Sequence, residues 1–105
     1  MKIKVSELIG AALNWAVAKC EGFYGHADYR PTTNWAQGGP IIDREDITWS
    51  MHMLPEYGDD TRFCAFSYRI GSSKAQNGPT KLIAAMRCYV ASKLGDEVDV
   101  PEELL

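Results

Sequence analysis

The chain has 105 residues, of which 46% are apolar and 24% are charged, and its formal net charge is −3. This length predicts a single globular domain over residues 1–95, and the apolar fraction excludes wholesale disorder. No apolar run approaches the roughly 18 residues that a membrane helix needs, and no basic-then-apolar segment predicts a secretory signal, so we expect no membrane partner.

The acidic side chains are unevenly distributed. Residues 96–105 hold five of the 14 acidic residues and no lysine or arginine, which leaves 11 basic against nine acidic residues in the rest of the chain. We interpret residues 96–105 as an acidic C-terminal tail of the kind that usually stays solvated. The rest of the chain has no basic run that could follow a phosphate backbone, so a nucleic-acid partner is not supported by the charge.

Residues 6–21 have the spacing of an amphipathic helix. Apolar side chains recur there at steps of three and four, at Leu8, Ile9, Ala12, Leu13, Ala16, Val17 and Cys20. Ser6 is the expected N-cap, and Gly22 lies where a left-handed residue ends many helices.

The next segment, residues 23–40, is predicted to be mostly loop. Proline, asparagine and the run Gly38-Gly39-Pro40 interrupt any regular period there. Residues 41–45 have two interpretations, either one helical turn that begins at Pro40 or the approach to a strand.

Two strands are predicted in the middle of the chain. Residues 47–54 and 62–70 both show the two-residue alternation of a strand, and the turn-rich residues 55–61 between them have the length of a hairpin loop. An antiparallel hairpin is therefore expected.

A second helix is predicted near the end of the chain. Residues 71–78 are predicted to form a polar linker. Pro79 then occupies the expected first position of the helix, and Gly95 lies at its expected end. The predicted fold class is therefore α+β, with two amphipathic helices packed on a small antiparallel sheet.

The cysteine and histidine residues show no metal or catalytic motif. Cys20, Cys64 and Cys88 are odd in number and lack paired spacing, which favours a reducing cytoplasm and the role of small buried hydrophobes. His26 and His52 complete no ligand pattern with them, so no metal or other cofactor is predicted. A small enzyme with a Cys/His pocket stays an alternative, because such residues could still meet in space.

The loop over residues 29–39 is the strongest candidate for binding. Arg30, Asn34, Trp35 and Gln37 place a cation, two amides and an indole within eight positions. Tryptophan and arginine dominate interface hot spots, and amides bind polar groups. The alternative is structural: Trp35 would anchor the loop in the core, while the two amides would satisfy its backbone.

Three residues elsewhere are further candidates. Trp49 lies in a predicted strand and is expected in the core, but it could stack on a single-stranded nucleic acid together with Arg30 and Trp35. His52 lies on the same predicted strand. Arg87 is the only cation in the apolar middle of the second helix, so it pairs with an acid, faces a pocket or lies on an exposed helix face.

Three blocks of the chain carry a resemblance to a known family. They are residues 1–18, which include MKIKVSEL and GAALNWAVA, residues 29–42, YRPTTNWAQGGPII, and residues 78–90, GPTKLIAAMRCYV. In this order they resemble the NinX-like family, small proteins encoded by tailed bacteriophages and enterobacterial prophages. The resemblance implies an accessory role in the cytoplasm of a bacterial host, and it brings no mechanism or functional residue with it.

These observations favour a non-enzymatic accessory protein. We expect it to bind a host or phage protein through residues 29–39 and the neighbouring hairpin. The small enzyme and the single-stranded nucleic-acid module are the alternatives.

Overall fold

The computed structural model describes residues 1–22, 28–51, 62–69 and 71–105. Its strands and helices in chain order are β1 (Lys2–Lys4), α1 (Gly10–Glu21), α2 (Trp35–Arg44), β2 (Ile47–Met51), β3 (Phe63–Ser67), β4 (Gly71–Gly78), α3 (Lys81–Leu94) and β5 (Glu97–Asp99). Short 3-10 turns cover Val5–Glu7 and Glu102–Leu104. The predicted α+β class is confirmed. A third helix, α2, matches the helical interpretation of residues 41–45, but it begins at Trp35 rather than at Pro40.

The strands form two antiparallel sheets. In the larger sheet, β3 lies between β2 and β4, and Trp49 on β2 stands opposite Ala65 on β3. This pairing confirms the predicted hairpin strands, while the connecting residues 52–61 lie outside the described residues. In the smaller sheet, β5 pairs with β1, so the two ends of the chain meet.

The linker prediction for residues 71–78 is wrong, because they form β4. The strand is at the edge of its sheet, and backbone hydrogen bonds pair it with β3. Such bonds do not depend on side-chain type, so the polar sequence did not indicate a strand. Gly78 ends the strand beneath α3, and a Cβ atom there would lie 2.6 Å from the Ala84 backbone nitrogen. Only glycine permits this close approach.

Both predicted helices exist, with later starts than expected. Ser6 lies in a 3-10 turn, and α1 begins only after Ile9, whose φ of −152° is extended. For α3, Thr80 is the N-cap and its hydroxyl accepts a hydrogen bond from Ile83 N at 3.1 Å, so Pro79 precedes the helix. Their C-terminal ends are as predicted, since Gly22 and Gly95 follow with positive φ angles.

Helix α3 is the centre of the core. Its residues 82–91 are all buried, and it packs against α1, β3 and β4. In the part of the chain that the structure describes, no helix is long and apolar enough to cross a membrane.

The acidic C-terminal segment is attached to the domain by its apolar residues. Val98 and Val100 are buried, and Val5 N donates a hydrogen bond to the Asp96 carbonyl at 2.8 Å. The five acidic side chains of this segment are exposed. The segment therefore closes the small sheet while its charges face solvent.

Candidate binding site

The predicted loop over residues 29–39 is only partly a loop. Helix α2 begins at Trp35, and the Asn34 side chain caps it by accepting a hydrogen bond from Ala36 N at 2.9 Å. Gly38 is buried within the helix, where a Cβ atom would lie 2.5 Å from the Pro31 carbonyl oxygen. Packing of this turn against the core therefore outweighs the poor helix propensity of the sequence Gly38-Gly39-Pro40.

The side-chain amides of Asn34 and Gln37 form hydrogen bonds with the backbone of this segment. Besides the cap formed by Asn34, Gln37 Oε1 accepts a hydrogen bond from Arg30 N at 2.5 Å, and its Nε2 donates to the Asp28 carbonyl at 2.9 Å. The structural alternative is therefore correct for both amides. Arg30 itself lies on the exposed surface of the turn.

Trp35 does not occupy the core, since 53% of it is exposed. Its ring meets the Trp49 ring edge-on, with centroids 6.2 Å apart and an interplanar angle of 65°. Trp49 packs against the core, and its indole N–H donates to the Lys81 carbonyl at 2.8 Å. One tryptophan is thus fixed by α3, and it supports the other at the surface.

A groove of about 380 Å³ lies beside Trp35. We call it the aromatic groove, and its lining consists of Trp35, Gly39, Ile42, Asp43, Asp46, Ile47, Thr48 and Tyr68. Ile42 and Ile47 are buried and belong to the core, whereas Tyr68 is 75% exposed. Within the described ranges, Trp35 and Tyr68 are the only exposed aromatic residues, and both line this groove.

Two exposed carboxylates also line the aromatic groove. Asp46 has a φ of 55° in the turn that joins α2 to β2, a left-handed conformation that aspartate tolerates better than most residues. Its carbonyl accepts a hydrogen bond from Tyr68 N at 3.0 Å, which ties this turn to the end of β3. Asp43 precedes it by one helical turn. Neither carboxylate forms an ion pair with a residue that the structure describes.

Arg87 is separate from the aromatic groove. Its side chain is buried, with Nε donating to the Leu8 carbonyl at 2.9 Å and Nη1 donating to the Asn77 carbonyl at 2.8 Å. It therefore links α3 to the segment before α1 and to β4. The interpretation as an exposed helix face is wrong, whereas a pocket is present: Arg87 lines a second cavity of about 560 Å³. His52 lies outside the described residues.

A polar network that no local sequence pattern indicates joins the three helices. Arg44 binds both carboxylate oxygens of Glu21, at 3.1 and 2.7 Å, and its Nε binds Glu45 at 2.8 Å. The Tyr89 hydroxyl also donates to Glu21. These hydrogen bonds, with Arg44 as the main donor, hold the pKa of Glu21 below its usual value. The partners are far apart in sequence, so no local pattern indicated them.

The cysteine residues are poorly suited to nucleophilic chemistry. Burial raises the pKa of the thiols of Cys20 and Cys88 to about 11, and it also raises the pKa of Cys64. A raised pKa lowers the fraction of reactive thiolate at neutral pH. No three potential ligands among histidine, cysteine, aspartate and glutamate converge on a metal position in the described ranges.

Comparison with known proteins gives one family match. The sequence profile of the family described as Bacteriophage P22, NinX matches residues 22–93, which is more than half of the chain. This range contains two of the three blocks of the sequence resemblance, residues 29–42 and 78–90, and all residues of the aromatic groove. No curated protein matches the chain.

Proposed function

Since the chain belongs to the bacteriophage P22 NinX family and is therefore a phage-encoded protein, we propose that it is a non-enzymatic accessory protein that captures a host or phage protein through the aromatic groove. The observation that carries this proposal is the position of the exposed aromatic residues, Trp35 and Tyr68, on one groove. Three free cysteines are consistent with action in the host cytoplasm, which is part of the proposal.

The groove has the physical character of a protein interface. Tryptophan and tyrosine are the residues most enriched at interface hot spots, and each offers a large apolar face with a polar edge. At roughly 25 cal/mol per Å², covering the exposed part of each ring would contribute about 2–4 kcal/mol. Trp35 is the first residue of α2, and Tyr68 lies in the turn that directly follows β3. The Tyr68 backbone N–H is bonded to the Asp46 carbonyl, so the backbone that carries each ring is already ordered before binding.

The alternatives receive less support from the same geometry. A single-stranded nucleic acid would bring phosphates towards Asp43 and Asp46, which repel them. Trp49, which that alternative needs as a stacking platform, is half-buried and bonded to the Lys81 carbonyl. The enzyme alternative needs a reactive thiolate, which the raised thiol pKa values oppose.

The proposal is tested by affinity capture from phage-infected host lysate, with and without nuclease. We expect Trp35→Ala and Tyr68→Ala each to reduce the captured protein at least tenfold, because each removes one wall of the groove. Leu105→Ala is the matched control, since Leu105 is also apolar and 58% exposed but does not line the groove. Circular dichroism checks that each variant is folded.

Two results would overturn the proposal. Undiminished capture by both folded groove variants would remove the groove from partner binding. Capture that disappears with nuclease would favour the nucleic-acid module instead.

A further inference from the structure

We propose that the aromatic groove receives an arginine side chain from a basic segment of the partner protein. This inference rests on the proposed function, and it adds the chemistry of the group that is bound. It is carried by two aromatic rings and two carboxylates on the same groove, namely Trp35, Tyr68, Asp43 and Asp46.

The carboxylates are free to bind an incoming cation. Asp43 and Asp46 are exposed, and neither is paired with a cation of the described chain. Together they bring negative charge to a groove that is also lined by the apolar side chains of Ile42 and Ile47. A partner's cation would therefore find two acceptors without having to displace an existing ion pair.

Three cations that neighbour groove residues in sequence or contact Trp49 are engaged elsewhere. Arg44 binds Glu21 and Glu45, and Arg69 Nη1 donates to the Arg44 carbonyl at 3.2 Å. Lys81 lies with its ammonium 5.5 Å from the centre of the Trp49 ring. None of these three cations lines the aromatic groove. Charge complementarity at the groove therefore favours a positive ligand.

Arginine fits this combination better than lysine does. Its planar guanidinium stacks on aromatic faces and donates two parallel hydrogen bonds to carboxylates, whereas an ammonium is a compact, strongly hydrated point charge. The exposed rings of Trp35 and Tyr68 offer the faces, and Asp43 and Asp46 offer the acceptors. The buried side chains of Ile42 and Ile47 can cover the aliphatic stem.

The probes are two short peptides, acetyl-Gly-Arg-Gly-amide and acetyl-Gly-citrulline-Gly-amide, which differ in charge but hardly in shape. Each is titrated into the uniformly ¹⁵N-labelled protein, and the Trp35 indole and Tyr68 amide signals are followed by NMR. We expect saturable shifts with arginine, with a dissociation constant on the order of a millimolar, and at least fivefold weaker binding of citrulline.

Charge variants test the role of the two carboxylates. The double variant Asp43→Asn/Asp46→Asn should weaken the binding of the arginine peptide at least fivefold. Asparagine also tolerates the left-handed conformation at position 46, so the backbone there should be unchanged. The matched control is Glu102→Gln/Glu103→Gln, which removes the same charge from exposed positions outside the groove and should bind as the wild type does.

Equal binding of both peptides would overturn the inference. So would unchanged binding of the arginine peptide by the aspartate variant, or an equal loss of its binding in the two charge variants. If groove variants lose lysate capture while the arginine peptide fails to bind, the proposed function stands and this inference falls. If the peptide binds through the aspartates while capture survives the groove variants, the groove binds a guanidinium group but not the captured protein, so the proposed function falls and the partner assignment of this inference falls with it.

Discussion

At the scale of single residues, Trp35 is available for binding because its neighbours hold the backbone that presents it. Asn34 caps α2, and Gln37 bonds the turn at Asp28 and Arg30. The Trp35 ring is then supported by its edge contact with Trp49. Asn34 and Gln37 thus hold the backbone, while Trp35 is exposed for binding a partner. Substitutions of the amides should therefore change stability, and substitution of Trp35 should change binding.

Asn34→Ala tests the anchoring role. Loss of the cap should lower the free energy of unfolding by about 1 kcal/mol, because the backbone N–H of Ala36 loses its acceptor. Urea denaturation measures the change. Asn34→Asp, which retains a capping oxygen, should restore most of the loss, and equal stability of the alanine variant and the wild type would contradict the assigned role.

At the scale of elements, α2 is held against the other two helices by the network around Glu21. Arg44 on α2 reaches Glu21 at the end of α1 and the Tyr89 hydroxyl on α3, the latter at 3.2 Å. Lys93 on α3 adds a contact with Glu45 at 3.6 Å. Because α2 carries Trp35, this network also fixes one wall of the aromatic groove.

The network predicts a dependence of stability on pH. Since the pKa of Glu21 is lower in the folded chain than in the unfolded chain, its contribution is complete above its usual value of 4.5 and is lost as the pH falls through the folded value. Glu21→Gln should therefore cost about 1 kcal/mol at pH 7, and the difference should shrink towards pH 3. Urea midpoints at several pH values measure this, and a constant difference would contradict it.

The edge strand β4 depends on a close contact with α3. Gly78→Ala should destabilise the fold by about 1–3 kcal/mol, because the new Cβ would lie 2.6 Å from the Ala84 nitrogen and the backbone would have to move. Thermal unfolding measures the effect. Gly39→Ala is the matched control, since the nearest atom to its Cβ, in the Trp35 ring, would be 3.9 Å away. Equal effects of the two variants would contradict the contact.

At the scale of the whole molecule, the sequence predicts the elements whose own side chains are periodic. The helices α1 and α3 and the strands β2 and β3 carry regular apolar patterns, so their presence was foreseen. Strand β4 and the first part of helix α2 were missed because glycine, proline and polar residues dominate them, and for residues 41–45 a helical turn was only one of two interpretations. They are specified by tertiary contacts, such as Gly38 against Pro31 and Gly78 against Ala84.

The candidate site was likewise predictable from the sequence only in part. Trp35 was identified from its residue type and neighbours alone. Tyr68 lies within the predicted strand of residues 62–70, and no sequence pattern indicated Asp43 or Asp46 as site residues. They join the site only because the turn after α2 brings the end of β3 beside that helix, which the hydrogen bond between Tyr68 N and the Asp46 carbonyl shows.

Capture of a protein by the aromatic groove is best tested with the double variant Trp35→Ala/Tyr68→Ala, which removes both exposed rings at once. Nuclease-treated lysate from infected cells is passed over the wild type, the double variant and Leu105→Ala, and bound proteins are quantified by mass spectrometry. We expect a protein that is retained by the wild type and by Leu105→Ala and is lost from the folded double variant. Equal retention by all three would contradict it.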